Sequence, residues 1–251
     1  MEKNKIIYFE QLDSTNTKIT ELAKQGAKHG TVVVADMQTA GKGRRGRIWE
    51  SPKGTNIYMS ILLYPKIEAG RAPMLTLVMA YSVARILKSQ GNYNVQIKWP
   101  NDLVISGKKI GGILTEMEVC GKNMLRIIIG VGINANTRNF SDSLLDKATS
   151  LYLENGEEVN RKELVAMIVE AFREDYQKFL EVGNLSFLQD EYNQMLVNRD
   201  TEVRVLEPGN EYTAWAQGVN EKGLLIVRKE DGSEEAIFAG EVSVRGIYGY
   251  V

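Results

Sequence analysis

The residues best suited to chemistry in this 251-residue chain lie in one short loop, residues 41–49. Its sequence is Gly-Lys-Gly-Arg-Arg-Gly-Arg-Ile-Trp. Glycine permits positive φ and a close backbone approach, and Lys42, Arg44, Arg45 and Arg47 carry donors that suit phosphate or carboxylate oxygens. The whole chain has 31 Lys plus Arg against 32 Asp plus Glu, so the loop is a local concentration of positive charge. We therefore expect an anion to bind here.

Other interpretations of this loop remain open. The pattern G-x-G-x-x-G at Gly41, Gly43 and Gly46 is typical of dinucleotide binding, but that site needs a helix to begin there, and Pro52 argues against one. Arginine runs are most often solvated surface, and some bind nucleic acid. The glycine density speaks against the former, and the acidic balance of the remaining chain against the latter. Trp49 could lie in a core or stack on a base.

Two further segments carry polar residues at predicted strand ends. The first is Lys98-Trp-Pro-Asn-Asp102, whose proline stiffens a turn that presents the Asn-Asp pair. A return strand brings Lys109 back toward Asp102, and Gly112 leaves room for a ligand over the sheet. The second is Gly130-Val-Gly-Ile-Asn134, which ends an apolar strand. Taken singly, these features would be a self-capped turn, a surface lysine and a plain strand end.

Composition limits the kinds of site that the chain can form. His29 is the only histidine and Cys120 the only cysteine, so a histidine metal cage, an acid–base pair of two histidines and an internal disulfide are excluded. The sequence also offers no candidate for a Cys–His pair or a Ser–His–Asp triad. We expect His29 to be a solvated turn residue, and we expect no structural metal. Catalysis would depend on electrostatics and positioning. No segment is apolar enough to span a membrane and the first residues form no secretion signal, so we expect a cytoplasmic protein.

Hydrophobic periodicity predicts the elements that position these segments. Helices are expected after the cluster Asp13–Thr17, over 72–90, from the Asn160 capping box to about Leu180, and over roughly 185–196. Seven strands are expected before residue 134, at 6–9, 31–37, 56–64, 95–98, 103–105, 110–119 and 124–133. Short connections between the last four favour hairpins.

We therefore expect an α+β fold, with a mixed, largely antiparallel sheet, helices packed on it, and a small C-terminal SH3-type β-barrel. The four or five short β segments expected after residue 202 suit such a barrel. We expect the catalytic domain to cover residues 1–198 and the barrel to cover residues 199–251.

Taken in order, these segments resemble the biotin–protein ligases. The motifs are Ser14-Thr15-Asn16, Gln38-Thr-Ala-Gly41-Lys-Gly-Arg-Arg-Gly-Arg47, Lys98-Trp-Pro-Asn-Asp102, Lys109-Ile-Gly-Gly-Ile-Leu114 and Gly130-Val-Gly-Ile-Asn134. They span residues 14–134, and the C-terminal β segment fits the small final domain of that family. Lipoate-attaching enzymes share the fold, but their glycine-run-and-histidine loop is absent from this sequence.

The resemblance implies a reaction in two steps. The carboxylate of biotin attacks the α-phosphate of ATP bound with Mg²⁺, giving biotinyl-5′-AMP and pyrophosphate. A lysine of a biotin carboxyl carrier protein then attacks that anhydride and releases AMP. A homodimer is expected by family analogy, without membrane binding. DNA binding is not expected either, because no helix-turn-helix precedes Ile6. The alternatives are a ligase for another short carboxylic acid, and a non-catalytic module that binds a small molecule or nucleic acid.

The resemblance also implies residue roles. The biotin-binding residues would be Ser14, Thr15, Asn16, Gln38, Gly41, Lys42, Gly43, Arg44, Lys109 and Gly112. The nucleotide-binding residues would be Arg44, Arg47, Trp49, Lys109 and Asn134. The catalytic residues would be Arg44, Lys109 and Asp102.

Within the catalytic group, Arg44 would bridge carboxylate and phosphate, and Lys109 would contact both reacting groups. Asp102 would receive the proton of the incoming lysine or orient Lys109. Lys42 stands where arginine is common in the family, which replaces a planar fork with a point charge. We expect loop 41–49 to be disordered without ligand and to close over the adenylate.

Overall fold

The computed structural model describes residues 5–91, 93–120, 124–207, 209–239 and 243–246. Its helices are α1 (Thr15–Lys24), α2 (Met74–Gly91), α3 (Leu151–Asn155), α4 (Arg161–Val182) and α5 (Gln189–Met195). Its first seven strands are β1 (Ile6–Leu12), β2 (Val32–Gln38), β3 (Ile57–Leu63), β4 (Gln96–Lys98), β5 (Asp102–Ile105), β6 (Lys108–Cys120) and β7 (Met124–Ile133). The C-terminal strands are β8 (Thr201–Glu207), β9 (Asn210–Val219), β10 (Leu225–Arg228), β11 (Glu234–Ile237) and β12 (Ser243–Gly246).

Two sheets organise these strands. The larger has the order β1-β2-β3-β7-β6-β5-β4, in which β1 pairs with β2 in parallel and the other pairs are antiparallel. The smaller is antiparallel, with the order β11-β10-β9-β8-β12. Within the described residues, β11 and β12 are the two edges of this smaller sheet. The predicted fold class is confirmed.

Three helices, α1, α2 and α4, cover the large sheet because each presents an apolar face to it. α2 is apolar on most sides, and its residues from Leu77 to Ala84 are all buried, where it packs against α4 and β6. On α4, Leu164, Ile168, Phe172 and Phe179 are buried along one side, as the periodicity predicts. Full burial of such a side chain contributes about 1.5–3 kcal/mol. The opposite sheet face carries α1, whose Ile19 packs in a smaller apolar cluster.

The ends of α4 follow from its sequence. Asn160 is the N-cap, and its side chain accepts a hydrogen bond from the Glu163 N–H, as the capping pattern predicts. Gly183 ends the helix with φ of 79°, a conformation that glycine adopts without steric cost. In the part of the chain that the structure describes, no helix is long and apolar enough to cross a membrane.

Two local predictions were wrong. The helix expected over 185–196 begins only at Gln189, because the Leu185 N–H is bonded to the Glu221 carbonyl of the C-terminal part. His29 is not a solvated turn residue: it is half-buried, its Nδ1 accepts a hydrogen bond from the Tyr64 N–H, and its ring lies 5.6 Å from that of Tyr176. Both differences arise from contacts between residues far apart in sequence.

Candidate active site

Two adjoining cavities lie between the loop of residues 41–49 and the motifs at the strand ends. The smaller has a volume of about 50 Å³ and reaches the start of α1. The larger has a volume of about 720 Å³ and reaches the segment that follows β7. Five residues line both cavities: Gly43, Arg44, Trp49, Asn101 and Lys109. A ligand group at this junction would therefore meet two cations at once.

The start of α1 forms the inner wall of the small cavity. Ser14 is the N-cap, yet its side chain makes no capping hydrogen bond, and it is buried at the lining. The backbone N–H of Thr15 donates to Gln38 Oε1 at 2.8 Å, which ties the end of β2 to the helix. Gln38 Nε2 in turn donates to Ser51 Oγ at 2.9 Å. These bonds fix the side chains that the cavity presents.

A second group of hydrogen bonds holds Asn16 behind this wall. Ser60 Oγ lies 2.6 Å from Asn16 Oδ1 and 2.7 Å from Thr15 Oγ1, and all three residues are buried. Asn16 Nδ2 donates to Glu116 Oε2 at 2.6 Å. Asn16 can come this close to β7 because Gly130 has no side chain: a Cβ there would lie 2.3 Å from Asn16 Oδ1. The motif glycine therefore provides space for an amide.

The arginine loop folds as a tight turn. Residues Arg44–Gly46 form one 3₁₀ turn, in which Arg45 and Gly46 have φ of 56° and 72°. Lys42 and Ile48 pair across it as an isolated bridge. The loop therefore forms a short hairpin-like flap whose arginines face the two cavities.

Arg44 is anchored at both ends of its guanidinium. Nη1 donates to Asn101 Oδ1 at 2.7 Å, and Nη2 donates to the Ala239 carbonyl at 2.6 Å. Burial lowers the pKa of the Arg44 guanidinium, whereas the charge of Asp102 raises it. The neighbouring Arg45 and Arg47 add to the lowering, because like charges oppose one another. These two contacts hold the Arg44 guanidinium at the junction of the two cavities.

Asp102 and Lys109 form an ion pair across the β5–β6 hairpin, as predicted. Lys109 Nζ lies 2.6 Å from Asp102 Oδ1, and Asn101 Nδ2 donates to the same oxygen at 3.0 Å. Because Asn101 also accepts from Arg44, one continuous chain of contacts joins Arg44, Asn101, Asp102 and Lys109. The two cations at the cavity junction are thereby positioned by the same turn.

Trp49 packs against two glycines of the sheet. A Cβ on Gly132 would lie 2.5 Å from the indole, and one on Gly112 would lie 3.3 Å from it. Lys109 Nζ lies 5.3 Å from the ring centroid, within the range of a cation–π contact. Trp49 Nε1 is buried and makes no hydrogen bond to any part of the chain that the structure describes. The ring lines both cavities rather than the core.

The segment after β7 forms the far wall of the large cavity. Asn134 is buried and its Nδ2 donates to the Thr149 carbonyl at 3.1 Å. Asn56 Oδ1 accepts from the Ala135 N–H at 3.0 Å and from Thr137 Oγ1 at 2.8 Å, which fixes where the segment turns. Phe140 adds an aromatic side chain to the lining.

The predicted residues divide between the cavities. Those expected at the biotin end line the small cavity, except Gly41. Gly41 is buried, and a Cβ there would lie 2.3 Å from the Trp49 carbonyl, so it allows the loop to close on itself. All five residues expected at the nucleotide line the large cavity. Asp102 lies there too.

Sequence reasoning missed several contributors. Ser60, Glu116 and the Ala239 carbonyl touch the lining side chains, but the sequence separates them from their partners by 44, 100 and 195 positions. No local pattern marks such pairs. Asn101 is different, because it belongs to the Lys-Trp-Pro-Asn-Asp motif and its position beside Asp102 could have identified it.

Comparison with known proteins places these motifs in a family. Residues 8–134 match the model of the Biotin/lipoate A/B protein ligase family, and residues 200–245 match the Biotin protein ligase C terminal domain. The Bifunctional ligase/repressor BirA of Bacillus subtilis is 35% identical over 243 residues, which cover 95% of this chain and 74% of that protein. The Biotin--[acetyl-CoA-carboxylase] ligase of Paracoccus denitrificans is 29% identical over 239 residues, 93% of this chain and 98% of that protein.

A solved structure agrees with the sequence comparisons. The biotin protein ligase from Aquifex aeolicus, in complex with biotin and ATP, superposes with a TM-score of 0.86 and 33% identity. The superposition covers 97% of this chain and 99% of that one. The chain therefore belongs to the biotin/lipoate A/B protein ligase family.

Proposed function

We propose that this protein is an ATP-dependent biotin–protein ligase, which forms biotinyl-5′-AMP and transfers biotin to a lysine of a carrier protein. The observation that carries this proposal is the junction of the two cavities, where Arg44 and Lys109 line both. An acid in the small cavity would direct its carboxylate at the phosphates of a nucleotide in the large one. The Paracoccus denitrificans relative supports biotin as a substrate, and the solved neighbour, a complex with biotin and ATP, supports both substrates.

The first step joins two anions, so its main requirement is positive charge held in position. A carboxylate oxygen of biotin attacks the α-phosphorus of ATP, and the bond to pyrophosphate breaks. Arg44 and Lys109 offset the charge of the approaching groups, and their anchors, Asn101 and Asp102, keep them in place. Removing one such donor typically slows a reaction by ~10²–10³.

The second step forms an amide. The ε-amine of the carrier lysine attacks the acyl carbon of the adenylate, AMP leaves, and the amine loses a proton. Asp102 would either accept that proton or orient Lys109. Its 2.6 Å contact with Lys109 supports the orienting role. The ring of Trp49 and the loop around Arg44 would keep water from the anhydride.

Magnesium and the remaining assignments are part of the same proposal. Among the described residues, no group of three or more His, Cys, Asp or Glu side chains forms a metal site. We infer that Mg²⁺ enters bound to the phosphates of ATP. The carrier protein as acceptor, the homodimer and the cytoplasmic location stay predictions.

The decisive experiment measures pyrophosphate release from ATP with biotin, lipoate or no acid, and then transfer to a purified biotin carboxyl carrier domain. We expect release only with biotin, and covalent labelling of one carrier lysine. Lys109→Met is the control variant. Its side chain keeps the length of lysine but lacks the positive charge that offsets the reacting anions. Pyrophosphate release that depends on another acid would mean that this acid, rather than biotin, is the substrate. If no acid stimulates pyrophosphate release, the proposal is overturned.

A further inference from the structure

We propose that Asn193 is a positioning residue for the flap of residues 41–49. Asn193 lies on α5 and lines neither of the two cavities. It holds the smaller sheet in the place from which the Ala239 carbonyl anchors Arg44, and in that way it helps the site to retain the adenylate. The inference rests on the proposed function, because it takes biotinyl-AMP to be the species that the flap encloses.

The side chain of Asn193 clasps the backbone of Val219 at the end of β9. Its Nδ2 donates to the Val219 carbonyl at 2.9 Å, and its Oδ1 accepts from the Val219 N–H at 2.7 Å. A backbone N–H can only donate and a carbonyl can only accept, so the orientation of the Asn193 amide is fixed. Since both bonds go to one residue, this clasp restrains the direction of β9 as well as its distance from α5.

The neighbouring Gly218 makes this close approach possible. It has φ of 141°, and a Cβ there would lie 2.9 Å from Asn193 Oδ1. Glycine within a strand often marks a bulge or a close approach of another group. Here it marks both, because the pairing of β9 with β10 also shifts register next to Gly218. The sheet is thus shaped at this point to receive the Asn193 side chain.

The register of the smaller sheet leads from this clasp to the anchor of Arg44. Val219 pairs with Leu225 on β10, Leu225 pairs with Ile237 on β11, and all three are buried. Ala239 follows two residues after Ile237, and its carbonyl accepts from Arg44 Nη2 at 2.6 Å. Neighbouring strands lie about 4.8 Å apart, so the clasp is two strand spacings from the strand that leads to the anchor. A displacement of β9 would therefore carry the Ala239 carbonyl with it.

Other contacts join the catalytic part to the smaller sheet, but they reach the turn that follows β9. The Trp99 indole donates to the Gly223 carbonyl, and the Leu185 N–H donates to the Glu221 carbonyl. These bonds remain when Asn193 is changed, so the loss of the clasp would tilt the smaller sheet rather than release it. We therefore expect a weakened anchor on Arg44 in a protein that still folds.

The test compares the native protein with Asn193→Leu and Asn193→Asp. It measures labelling of a bystander protein mixed with biotin, ATP and enzyme, pyrophosphate release in the first turnover, and the thermal midpoint. Leucine has nearly the shape of asparagine but makes no hydrogen bonds, and we expect bystander labelling to rise roughly three- to tenfold, as the loss of one hydrogen bond to Arg44 predicts. Pyrophosphate release should stay within about threefold, because Arg44 keeps its bond to Asn101. Asn193→Asp keeps an acceptor for the Val219 N–H, so its labelling should lie between the two.

Two further variants are matched controls. Gln189, one turn earlier on α5, also donates to the Val219 carbonyl, at 3.1 Å, but Gln189→Leu leaves both bonds of the clasp intact. Asn160→Ala removes the cap of α4, so it should lower the thermal midpoint without altering a contact of the smaller sheet. We expect both variants to label the bystander at the native level, which separates positioning from general destabilisation.

A double-mutant cycle with Arg44→Gly examines the path. In that background the bond to Ala239 is already lost, so Asn193→Leu should raise bystander labelling little further. Additive increases would overturn the inference, as would native labelling in Asn193→Leu or an equal increase in Asn160→Ala. If the native protein forms no biotinyl-AMP from biotin and ATP, the proposed function itself fails, and that result is obtained before any variant is compared.

Discussion

Arg44 and Lys109 each have a fixed partner in the protein as well as a place at the cavity junction. Arg44 is bonded to Asn101 and the Ala239 carbonyl, and Lys109 to Asp102. A long, flexible cation normally loses side-chain entropy when it binds a ligand. Since these contacts already restrict both side chains, less is lost when the substrates arrive. Lys42, in contrast, is an exposed residue of the same loop.

Arg44→Gly should let the adenylate escape from the site. The substitution removes both loop anchors and the charge that faces the phosphate, so the loop would no longer close over the anhydride. We expect the variant to release biotinyl-AMP, measured as labelling of an unrelated bystander protein mixed with biotin, ATP and enzyme. Retention of the adenylate at the native level would count against closure by this loop.

At the scale of elements, β7 serves both ends of the site through two glycines. Gly130 makes room for the Asn16 amide, and Gly132, two residues later on the same face, makes room for the Trp49 ring. Glycine inside a strand costs roughly 0.5–1 kcal/mol relative to alanine. The strand retains its pairing with β3 and β6 throughout this stretch, so neighbouring strands offset that cost.

Substituting alanine for each of these two glycines should raise the KM for one substrate and not for the other. Gly130→Ala would bring a Cβ within 2.3 Å of Asn16 Oδ1, and Gly132→Ala within 2.5 Å of Trp49. We expect Gly130→Ala to raise KM for biotin about tenfold or more, and Gly132→Ala to do the same for ATP. Steady-state kinetics on both variants provides the comparison, and each acts as the control for the other. Equal effects of both variants on both substrates would contradict this division.

His29 connects the turn before β2 to the end of β3 and to α4. Burial lowers the pKa of the His29 imidazole below its usual 6.5, because the charged form is disfavoured, and Nδ1 is engaged as an acceptor. The unfolded chain then binds a proton more readily than the folded one. Stability therefore falls as pH drops through the interval below about 6.5.

Thermal unfolding at pH 7.0 and pH 5.5 tests this dependence. The native protein should unfold at a lower temperature at the lower pH, and His29→Gln, which keeps a side-chain acceptor, should show a smaller difference. His29 is the only histidine, so no second imidazole contributes in this interval. An identical pH difference in both proteins would exclude His29 as its source.

The sequence predicted the parts of the fold and site that depend on local spacing. The hairpin spacing predicted the Lys109–Asp102 contact, and the Asn160 cap predicted the start of α4. The family membership was predicted from the motifs alone. The contacts of His29 and the late start of α5 were missed, since each depends on a segment folded from elsewhere in the chain. The roles of the individual site residues and the domain boundary at residues 198/199 stay predictions.

At the scale of the whole molecule, the two sheets meet through the motif that carries Asp102. Trp99 is 1% exposed, and its Nε1 donates to the Gly223 carbonyl at 3.1 Å. The turn that positions the cations of the site thus rests against the C-terminal part of the chain.

Trp99→Phe should destabilise the protein by about 1–3 kcal/mol, because the Gly223 carbonyl loses its buried donor. Trp215→Phe is the matched control: that indole is 43% exposed, and we expect a change within about 0.5 kcal/mol. Chemical denaturation of both variants measures the difference. Similar losses in the two would mean that the Trp99 hydrogen bond does not hold the sheets together.

The bond from Arg44 to the Ala239 carbonyl joins two residues that the ribosome adds at different times. The two residues are 195 positions apart, so at about 5–20 residues per second a ribosome adds the second roughly 10–40 s after the first. The motifs at residues 14–134 are all synthesised before Ala239, so during that interval the flap lacks this anchor. Biotinyl-AMP formed in the site of such a chain would be retained poorly. In a chain that ends before Ala239, Arg44 would keep only its contact with Asn101.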